Sequence, residues 1–514
     1  MAWTKNAYIH YAYKMRPKTR MRIFYFVGLN HLQLCLVKVY AFSGTAGISL
    51  QVSKPMAFKL PPMLECCSLS LGERVRVRDR PVLPLFSGAA SRDCNIESSS
   101  KTRRPNSKPN KTEFAIDRPA TVPQREPTKP EMKNICAAVV GTGFIGPVHV
   151  EGLRRAGVEV KGICGSAPEK STKAATTLGL ERGYHSFSEI LEDKDIAAVH
   201  LASPNRLHHE QVLAALDAGK HVICEKPLAM TSAETSELVA AARRAPHLVA
   251  AVNYNLRFYP LCLQARAMVR RGEIGNVFHI QGGYVQDWLL YPTDFNWRVL
   301  AEDGGELRAI GDIGTHWLDL ITFVTGLEIE SVMADLWTVH PTRQRPPAGS
   351  IETFTGKKSA PAKGEPVAIS TEDYGSVLLR FKGGQRGVLT VSQVTAGRKN
   401  CLRFEIAGSE KSLAWDSERP NEIWIGARNS ANQSLLRDPS LLDESAAAFA
   451  SYPGGHNEGF PDTFKQLYRA IYDDIRKGKP STEPLYATFA DGHRELLLCE
   501  AILKSHRAQT WVKV

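Results

Sequence analysis

One hexapeptide, Gly141-Thr142-Gly143-Phe144-Ile145-Gly146, constrains the fold of this chain more than any other stretch. It follows a short apolar, partly β-branched run, Ile135 to Val140, of the kind that forms a buried parallel strand. It precedes a stretch to Ala156 that reads as a helix, with Pro147 suited to the first turn and Gly157 at the end. In such a strand–turn–helix the first glycine permits a tight turn. The second lets the backbone approach a pyrophosphate, and the third lets helix and strand pack closely. Free N–H groups and the positive dipole at the helix start attract the phosphates. A second strand, Val158 to Cys164, follows. The G-x-G-x-x-G spacing alone is a weak signal. In this setting it predicts a dinucleotide site that includes Gly141, Gly143, Phe144, Ile145 and Gly146.

The alternation continues. Ile196 to Ala202 reads as a strand ending in Ser203-Pro204-Asn205, and His208 to Ala218 as a helix closed by Gly219. His221 to Cys224 is a strand, Ala233 to Arg243 a helix with Ser232 as its cap, and Val249 to Tyr254 a further strand. This pattern implies a parallel, doubly wound sheet with ligands at the carboxyl ends of its strands. Ser203, Pro204, Asn205 and His208 stand after one such end, and Glu225-Lys226-Pro227 after another. The proline fixes the turn and holds the residue before it extended, so Lys226 is aimed; taken alone, a lysine is ordinarily a surface residue. The acid that usually binds the ribose about 20 residues beyond the glycines is missing, because that position reads Gly165-Ser166-Ala167-Pro168. Ser166 and Lys170 are able to bind a 2′-phosphate, and Ser166 serves the ribose of NAD equally well. The cofactor is therefore read as NAD or NADP.

The net charge of +12 over 514 residues is unevenly placed. Residues 1–131 hold 22 basic and 9 acidic residues; the remainder holds 43 and 44, a net of −1. In the basic part the aromatics cluster in residues 1–41 and do not interleave with the run at 101–131, which argues against a nucleic-acid tail. No apolar run reaches the length of a membrane span. Ten cysteines without a C-x-x-C pair fit reduced thiols in a cytoplasmic protein better than a zinc or disulfide framework. Residues 1–131 read as a disordered basic extension. Met132-Lys133 precedes the first strand as a native start would, so the segment is either upstream of the true start or a transit segment. With 43% hydrophobic residues over the full chain there is ample material for a core, and the near-neutral part is read as two domains, 132–256 and 257–514. In the second, strands at 277–285, 331–339, 375–381, 387–393, 401–406, 412–415 and 422–425 succeed one another with few helices, as in an antiparallel sheet. Residues 341–372, rich in Pro, Lys and Gly, read as an exposed arm near a subunit contact.

GTGFIG after its strand, Ser203-Pro204-Asn205, Glu225-Lys226-Pro227 and the later Gly311-Asp312-Ile313-Gly314-Thr315-His316-Trp317-Leu318-Asp319 resemble, in that order, the glucose–fructose oxidoreductase / inositol dehydrogenase / MocA-like oxidoreductases. The resemblance covers residues 132–514. It implies a Rossmann-like NAD(P)-binding domain followed by an α/β domain with a large open, predominantly antiparallel sheet that covers the nicotinamide and often mediates homo-oligomers, dimers or tetramers. It also implies an NAD(P)-dependent oxidoreductase acting on a sugar or polyol, with Lys226, Asp312 and His316 in the chemistry.

The residues bear on that assignment independently. If a helix begins near Asp312, Asp312 and His316 lie on one face, with Asp319 extending the stripe. Oxidising an alcohol needs a base for the hydroxyl proton, and histidine titrates near neutrality. Lys226 would stabilise the developing alkoxide, and Asp312 would orient the pair. The same spacing also fits an ordinary satisfied polar cluster, and no further ligand at a suitable spacing suggests a metal site. Arg257, Tyr284, Trp297, Arg298 and His456 join Asp312 and His316 as candidates for a sugar pocket, in which aromatic faces stack on C–H surfaces while charged groups bind hydroxyls. Two other readings remain open at this point: a hydrolase that keeps NAD bound, and a non-enzymatic dinucleotide-binding regulator.

Overall fold

The computed structural model describes residues 135–347 and 364–514, together with three backbone strands in the basic segment. Those strands, β1 (Met21–Asn30), β2 (Gln33–Phe42) and β3 (Ser49–Val52), form an antiparallel sheet. The expectation of a disordered extension falls otherwise on residues outside the described ones.

From residue 135 the chain builds two sheets. The first comes from β4 (Cys136–Val140), α1 (Ile145–Arg155), β5 (Glu159–Cys164), α2 (Pro168–Leu178), β6 (Arg182–Tyr184), α3 (Phe187–Glu192), β7 (Ile196–Leu201), α4 (His208–Asp217), β8 (His221–Cys224), α5 (Ser232–Arg244) and β9 (Ala250–Val252). These six strands are parallel in the order β9-β8-β7-β4-β5-β6. β4 is buried along its whole length, as a strand covered by helices on both faces must be. α5 is capped by Thr231, one residue earlier than expected: Thr231 and Glu234 make a reciprocal capping box, and the Ser232 hydroxyl turns instead to Glu500.

The chain then forms α6 (Pro260–Arg270), β10 (Val277–Val285), α7 (Ala301–Gly304), α8 (Thr315–Thr325) and β11 (Ile329–Trp337). The hairpin β12 (Thr342–Arg345) and β13 (Glu365–Ala368) follows, then β14 (Tyr374–Phe381), β15 (Arg386–Ser392), β16 (Cys401–Gly408), β17 (Lys411–Asp416), β18 (Glu422–Ala427) and β19 (Gln433–Leu436). The last part holds α9 (Glu444–Ala447), α10 (Phe460–Lys477), β20 (Ala487–Thr488), α11 (Phe489–Ala508) and β21 (Val512–Lys513). The second sheet has nine strands in the order β19-β18-β17-β16-β10-β15-β14-β11-β21. It is antiparallel except where β10 lies parallel to β15. One face packs on α6 and α8; the other exposes Leu378 and Val388, which pair across β14 and β15, and Trp424. Trp317 of α8 is fully buried and its indole N–H donates to the Arg403 carbonyl at 2.9 Å, pinning the helix to the sheet.

Two features depart from the sequence reading. Residues 460–514, expected with the second half, serve both sheets. Phe464, Leu467, Tyr468, Ile471 and Tyr472 of α10 share a core with β4 and α1, and β20 adds an antiparallel seventh strand beside β9. The segment 341–372 is not a plain arm at its base. Arg343 of β12 is completely buried and donates to Asp373 and to the Leu289, Tyr291 and Asp294 carbonyls. Its middle, 348–363, lies outside the described residues. Among the described residues no helix is long and apolar enough to cross a membrane.

Candidate active site

The parallel register brings four loop starts into one row. Val140 pairs with Cys164 and with Leu201, and Leu201 pairs with Cys224, so Gly141, Gly165, Ala202 and Glu225 leave the sheet side by side. With the end of β10 at Tyr284 and Gln286 they enclose a cleft of about 1190 Å³.

Backbone passes backbone at the glycine end. Gly141 has φ +123°, and a Cβ there would lie 2.3 Å from the Ala202 carbonyl oxygen; a Cβ on Gly146 would lie 2.0 Å from that of Gly141. Gly143 differs, since a Cβ there would meet nothing within 4 Å. It opens on the space that a phosphate would fill. α1 starts just beyond with no side-chain cap and no acid in its first turn, leaving its positive end to an anion. These residues therefore fit a dinucleotide, with Gly143, Phe144 and Ile145 on the pyrophosphate side of the cleft. Ser166 and Lys170 line its outer end, where Lys170 Nζ donates to Ser166 Oγ at 2.9 Å. Among the described residues the carboxylates that line the cleft are Glu225 and Asp312, both at the inner end.

The inner end is built on an irregular helix start. Residues Ile310–Gly314 form a π-helical turn that runs directly into α8, a local widening often found where side chains are re-aimed at a site. Asp312 comes from that turn and His316 from the first turn of α8. Lys226, which is joined to Pro227 by a cis peptide, donates from Nζ to the Asp312 carbonyl and to Asp312 Oδ1, each at 2.8 Å. Asp312 Oδ2 accepts from Gln393 Nε2 at 2.9 Å, and Arg298 Nε lies 3.6 Å from Oδ1. Burial would raise the Asp312 carboxyl, but the charges of Lys226 and Arg298 hold it well below the usual carboxylate range. His316 is 8% exposed, walled by Tyr254 edge-on at 5.5 Å and by Tyr284 at 6.2 Å between ring centroids. Its Nδ1 is buried and unpartnered, so the ring meets the cleft through its other edge. Burial first, and the Lys226 charge second, push its pKa down to about 3. The near-neutral histidine expected from sequence is thus a neutral imidazole over the whole ordinary pH range.

Glu225 is held from behind by a hydrogen-bond chain. Its Oε1 accepts from His149 Nε2 at 3.0 Å and from Asn253 Nδ2. A carboxylate only accepts, so His149 turns its Nε2 proton to Glu225; behind it His149 Nδ1 lies 3.1 Å from His200 Nδ1, and His200 Nε2 lies 3.0 Å from the Tyr472 hydroxyl. Burial would raise the Glu225 carboxyl, but the His149 hydrogen bond and neighbouring charges bring it down to about 2. Its Oε2 accepts from the Lys226 backbone N–H at 3.2 Å.

Of the residues singled out from sequence, the cleft also gathers Ser203, Pro204, Asn205, Tyr284, Trp297 and Arg298. Asn205 Nδ2 donates to the Gly304 carbonyl at 3.0 Å, tying the first sheet's loop to α7. Three residues lie elsewhere. His208 is fully buried between the Pro227 and Ser203 carbonyls, where it braces the two motif loops. Arg257 is buried in an ion pair with Asp319, its Nε 2.7 Å from Oδ2, so neither residue extends the catalytic stripe into the cleft. His456 is exposed, in a turn whose backbone is gripped by Arg437. Sequence reading missed Gln286, Gln393 and Asn400, which come from the sheet end without any motif. It also missed His149, three residues past the last glycine of GTGFIG, a spacing that points to the same helix face.

Comparison with known proteins agrees with this geometry. Residues 135–254 match the model of an oxidoreductase family with an NAD-binding Rossmann fold, and residues 262–414 match the GFO/IDH/MocA C-terminal domain. Levoglucosan dehydrogenase of Pseudarthrobacter phenanthrenivorans is 30% identical over 397 residues, covering 74% of this chain and 99% of that protein. Myo-inositol 2-dehydrogenase of Thermotoga maritima is 25% identical over 377 residues, covering 73% and 97%. The solved structure of levoglucosan dehydrogenase in complex with NADH and L-sorbose superposes with a TM-score of 0.66 at 27% identity, covering 74% of this chain and 99% of that one. The chain belongs to the glucose–fructose oxidoreductase, inositol dehydrogenase and MocA family of NAD-binding oxidoreductases.

Proposed function

We propose that the chain oxidises a hydroxyl-bearing carbon of an uncharged sugar or polyol, with NAD or NADP held along Gly143 and the start of α1. The observation that carries this reading is the meeting of Lys226, Asp312 and His316 at the inner end of the cleft. The nicotinamide, when bound, takes up the hydride. The chain's own residues manage the proton. His316, neutral through burial, receives it from the substrate hydroxyl at the ring edge that faces the cleft. Burial also makes His316 a weak base, so the proton moves only if charge developing on the substrate oxygen is stabilised at the same time. Lys226 is placed for that. Two of its three N–H groups are spent on Asp312, and the third remains for the oxygen. Asp312 stays ionised and fixes the ammonium. Arg298 stacks on Trp297 at 4.4 Å, giving a flat wall suited to the C–H face of a sugar. The names of the relatives, levoglucosan and myo-inositol dehydrogenases, support a neutral polyhydroxylated substrate. The exposed apolar face of the second sheet supports a homo-oligomer.

A panel of sugars and polyols assayed with NAD and with NADP tests the proposal. Reduced cofactor should form in proportion to sugar consumed, and Lys226→Ala or His316→Ala should each lower kcat by about 100-fold or more. Sugar released from a glycoside with no net reduced cofactor would select a hydrolase instead. Full rates in both variants would remove these residues from the chemistry.

A further inference from the structure

The cleft wall beside His316 carries a hydrogen-bond chain whose direction is set by a single group. Trp288 Nε1 donates to Gln286 Oε1 at 2.9 Å. An indole N–H can only donate, so the oxygen of the Gln286 amide must face Trp288 and its NH₂ must face the other way. That NH₂ meets Asn400 Oδ1 at 2.7 Å, and the Tyr284 hydroxyl meets the same oxygen at 2.6 Å. Asn400 Oδ1 therefore accepts twice, and the orientation of the Asn400 amide follows from Trp288 two links away. Among the described residues Nδ2 of Asn400 has no hydrogen-bond partner, and Asn400 lines the cleft. Tyr284 spends its proton on Asn400 and keeps its oxygen lone pairs for an acceptor role. Burial pushes its phenol far above the usual range, so it stays a neutral O–H group.

We propose that Asn400 is a specificity-determining residue: its Nδ2 donates to a non-reacting hydroxyl oxygen of the sugar or polyol while Tyr284 Oη accepts from the same substrate edge, with Gln286 and Trp288 as positioning residues. This rests on the sugar reading above. The pair presents one donor and one acceptor side by side, matching a hydroxyl group or a vicinal diol, each of which offers both. Tyr284 stands 6.2 Å from His316 between ring centroids, so the matched hydroxyl lies near the reacting one on the same molecule. A substrate without that hydroxyl leaves a desolvated amide unpaired, which costs binding more than a neutral contact would gain.

Asn400→Asp is the informative change. It keeps an oxygen for Gln286 and Tyr284 while showing the cleft an acceptor where it had a donor. Trp288→Phe removes the obligate donor and frees the Gln286 amide to turn. The full chain loaded with NADH is titrated calorimetrically with levoglucosan, myo-inositol and L-sorbose. Asn400→Asp should weaken the best of these by about tenfold or more with its melting temperature kept. Trp288→Phe should give a smaller loss, and in turnover both should raise KM more than they lower kcat. Equal affinity of wild type and Asn400→Asp overturns the proposal, as does a wild-type affinity in Trp288→Phe should Asn400→Asp fail to fold. If the wild type binds none of the three, the same titration is made with the substrate that the sugar and polyol panel identifies; a panel that yields no substrate overturns the sugar reading and this inference with it.

Discussion

At the scale of single residues the three glycines of the turn, alike in sequence, do different physical work, and that difference is testable. A side chain at Gly146 collides with the Gly141 backbone, whereas one at Gly143 meets only open cleft. Gly143→Val should fold with a melting temperature near wild type yet lose cofactor affinity at least tenfold, because its side chain occupies phosphate space. Gly146→Ala should instead lower the melting temperature, since no flexible side chain is there to give way. Titration with NADH beside a thermal melt distinguishes the two. Lys226, Asp312 and His316 could be singled out as candidates because each sits in a short motif that carries the family resemblance; their residue types and spacing alone would have read as a surface lysine and a satisfied polar cluster. Gln393 and Asn400 could not: a lone amide at the end of a strand carries no periodic or spacing signal, and only the fold brings it to Asp312 or to Tyr284. Arg257 was misplaced for the converse reason, because a sequence cannot say that Asp319 will claim an arginine in the interior.

At the scale of elements, β4, α1, β5, β7, α4, β8, α5 and β9 follow the hydrophobic pattern closely, since fully buried parallel strands advertise themselves as apolar runs, whereas α2, the three-residue strand β6 and the six-residue helix α3 are not read from it. The π turn before α8 is invisible to that pattern, which assumes 3.6 residues per turn. So is the return of α10 to the first sheet, more than 200 residues downstream of the strands it covers. α10 buries Phe464, Leu467, Tyr468, Ile471 and Tyr472 against α1 and β4, and Tyr472 closes the chain that runs through His200 and His149 to Glu225. Two substitutions on this one helix should therefore separate packing from positioning. Leu467→Ala removes core volume and should cost about 2–5 kcal/mol in urea unfolding while leaving kcat nearly unchanged. Tyr472→Phe keeps the ring and removes the hydroxyl. It should cost about 1 kcal/mol and leave His200 Nε2 without its hydrogen-bond partner. If Leu467→Ala is no less stable than wild type, α10 does not close the first core.

For the whole molecule, the same interior that builds the site also makes it sensitive to acid. Burial keeps His316 neutral down to about pH 3 and His221 down to about pH 4, and it lowers His200 and His208 as well. In the unfolded chain each titrates near 6.5. Between those limits the unfolded state binds more protons than the folded one, so stability is complete above about pH 6.5 and falls as the pH drops below it. Glu225, brought down to about 2, loses its contribution only further into acid. Glu495, raised to about 8 chiefly by burial, works the other way: its share is present near pH 4.5 and fades toward 8. The opposing groups are common to wild type and variant, so a difference isolates one histidine. His316→Gln removes a titrating ring at the centre of the cleft without a charge. Urea unfolding of both proteins at pH 7.5, 6.0, 5.0 and 4.5 should show the variant gaining on wild type below 6.5 with a slope that approaches roughly 1.4 kcal/mol per pH unit, the linkage value for one proton. Parallel curves would mean that His316 takes up its proton in the folded state near neutrality, and the assignment of a neutral, weakly basic His316 to the proton step would then have to be abandoned.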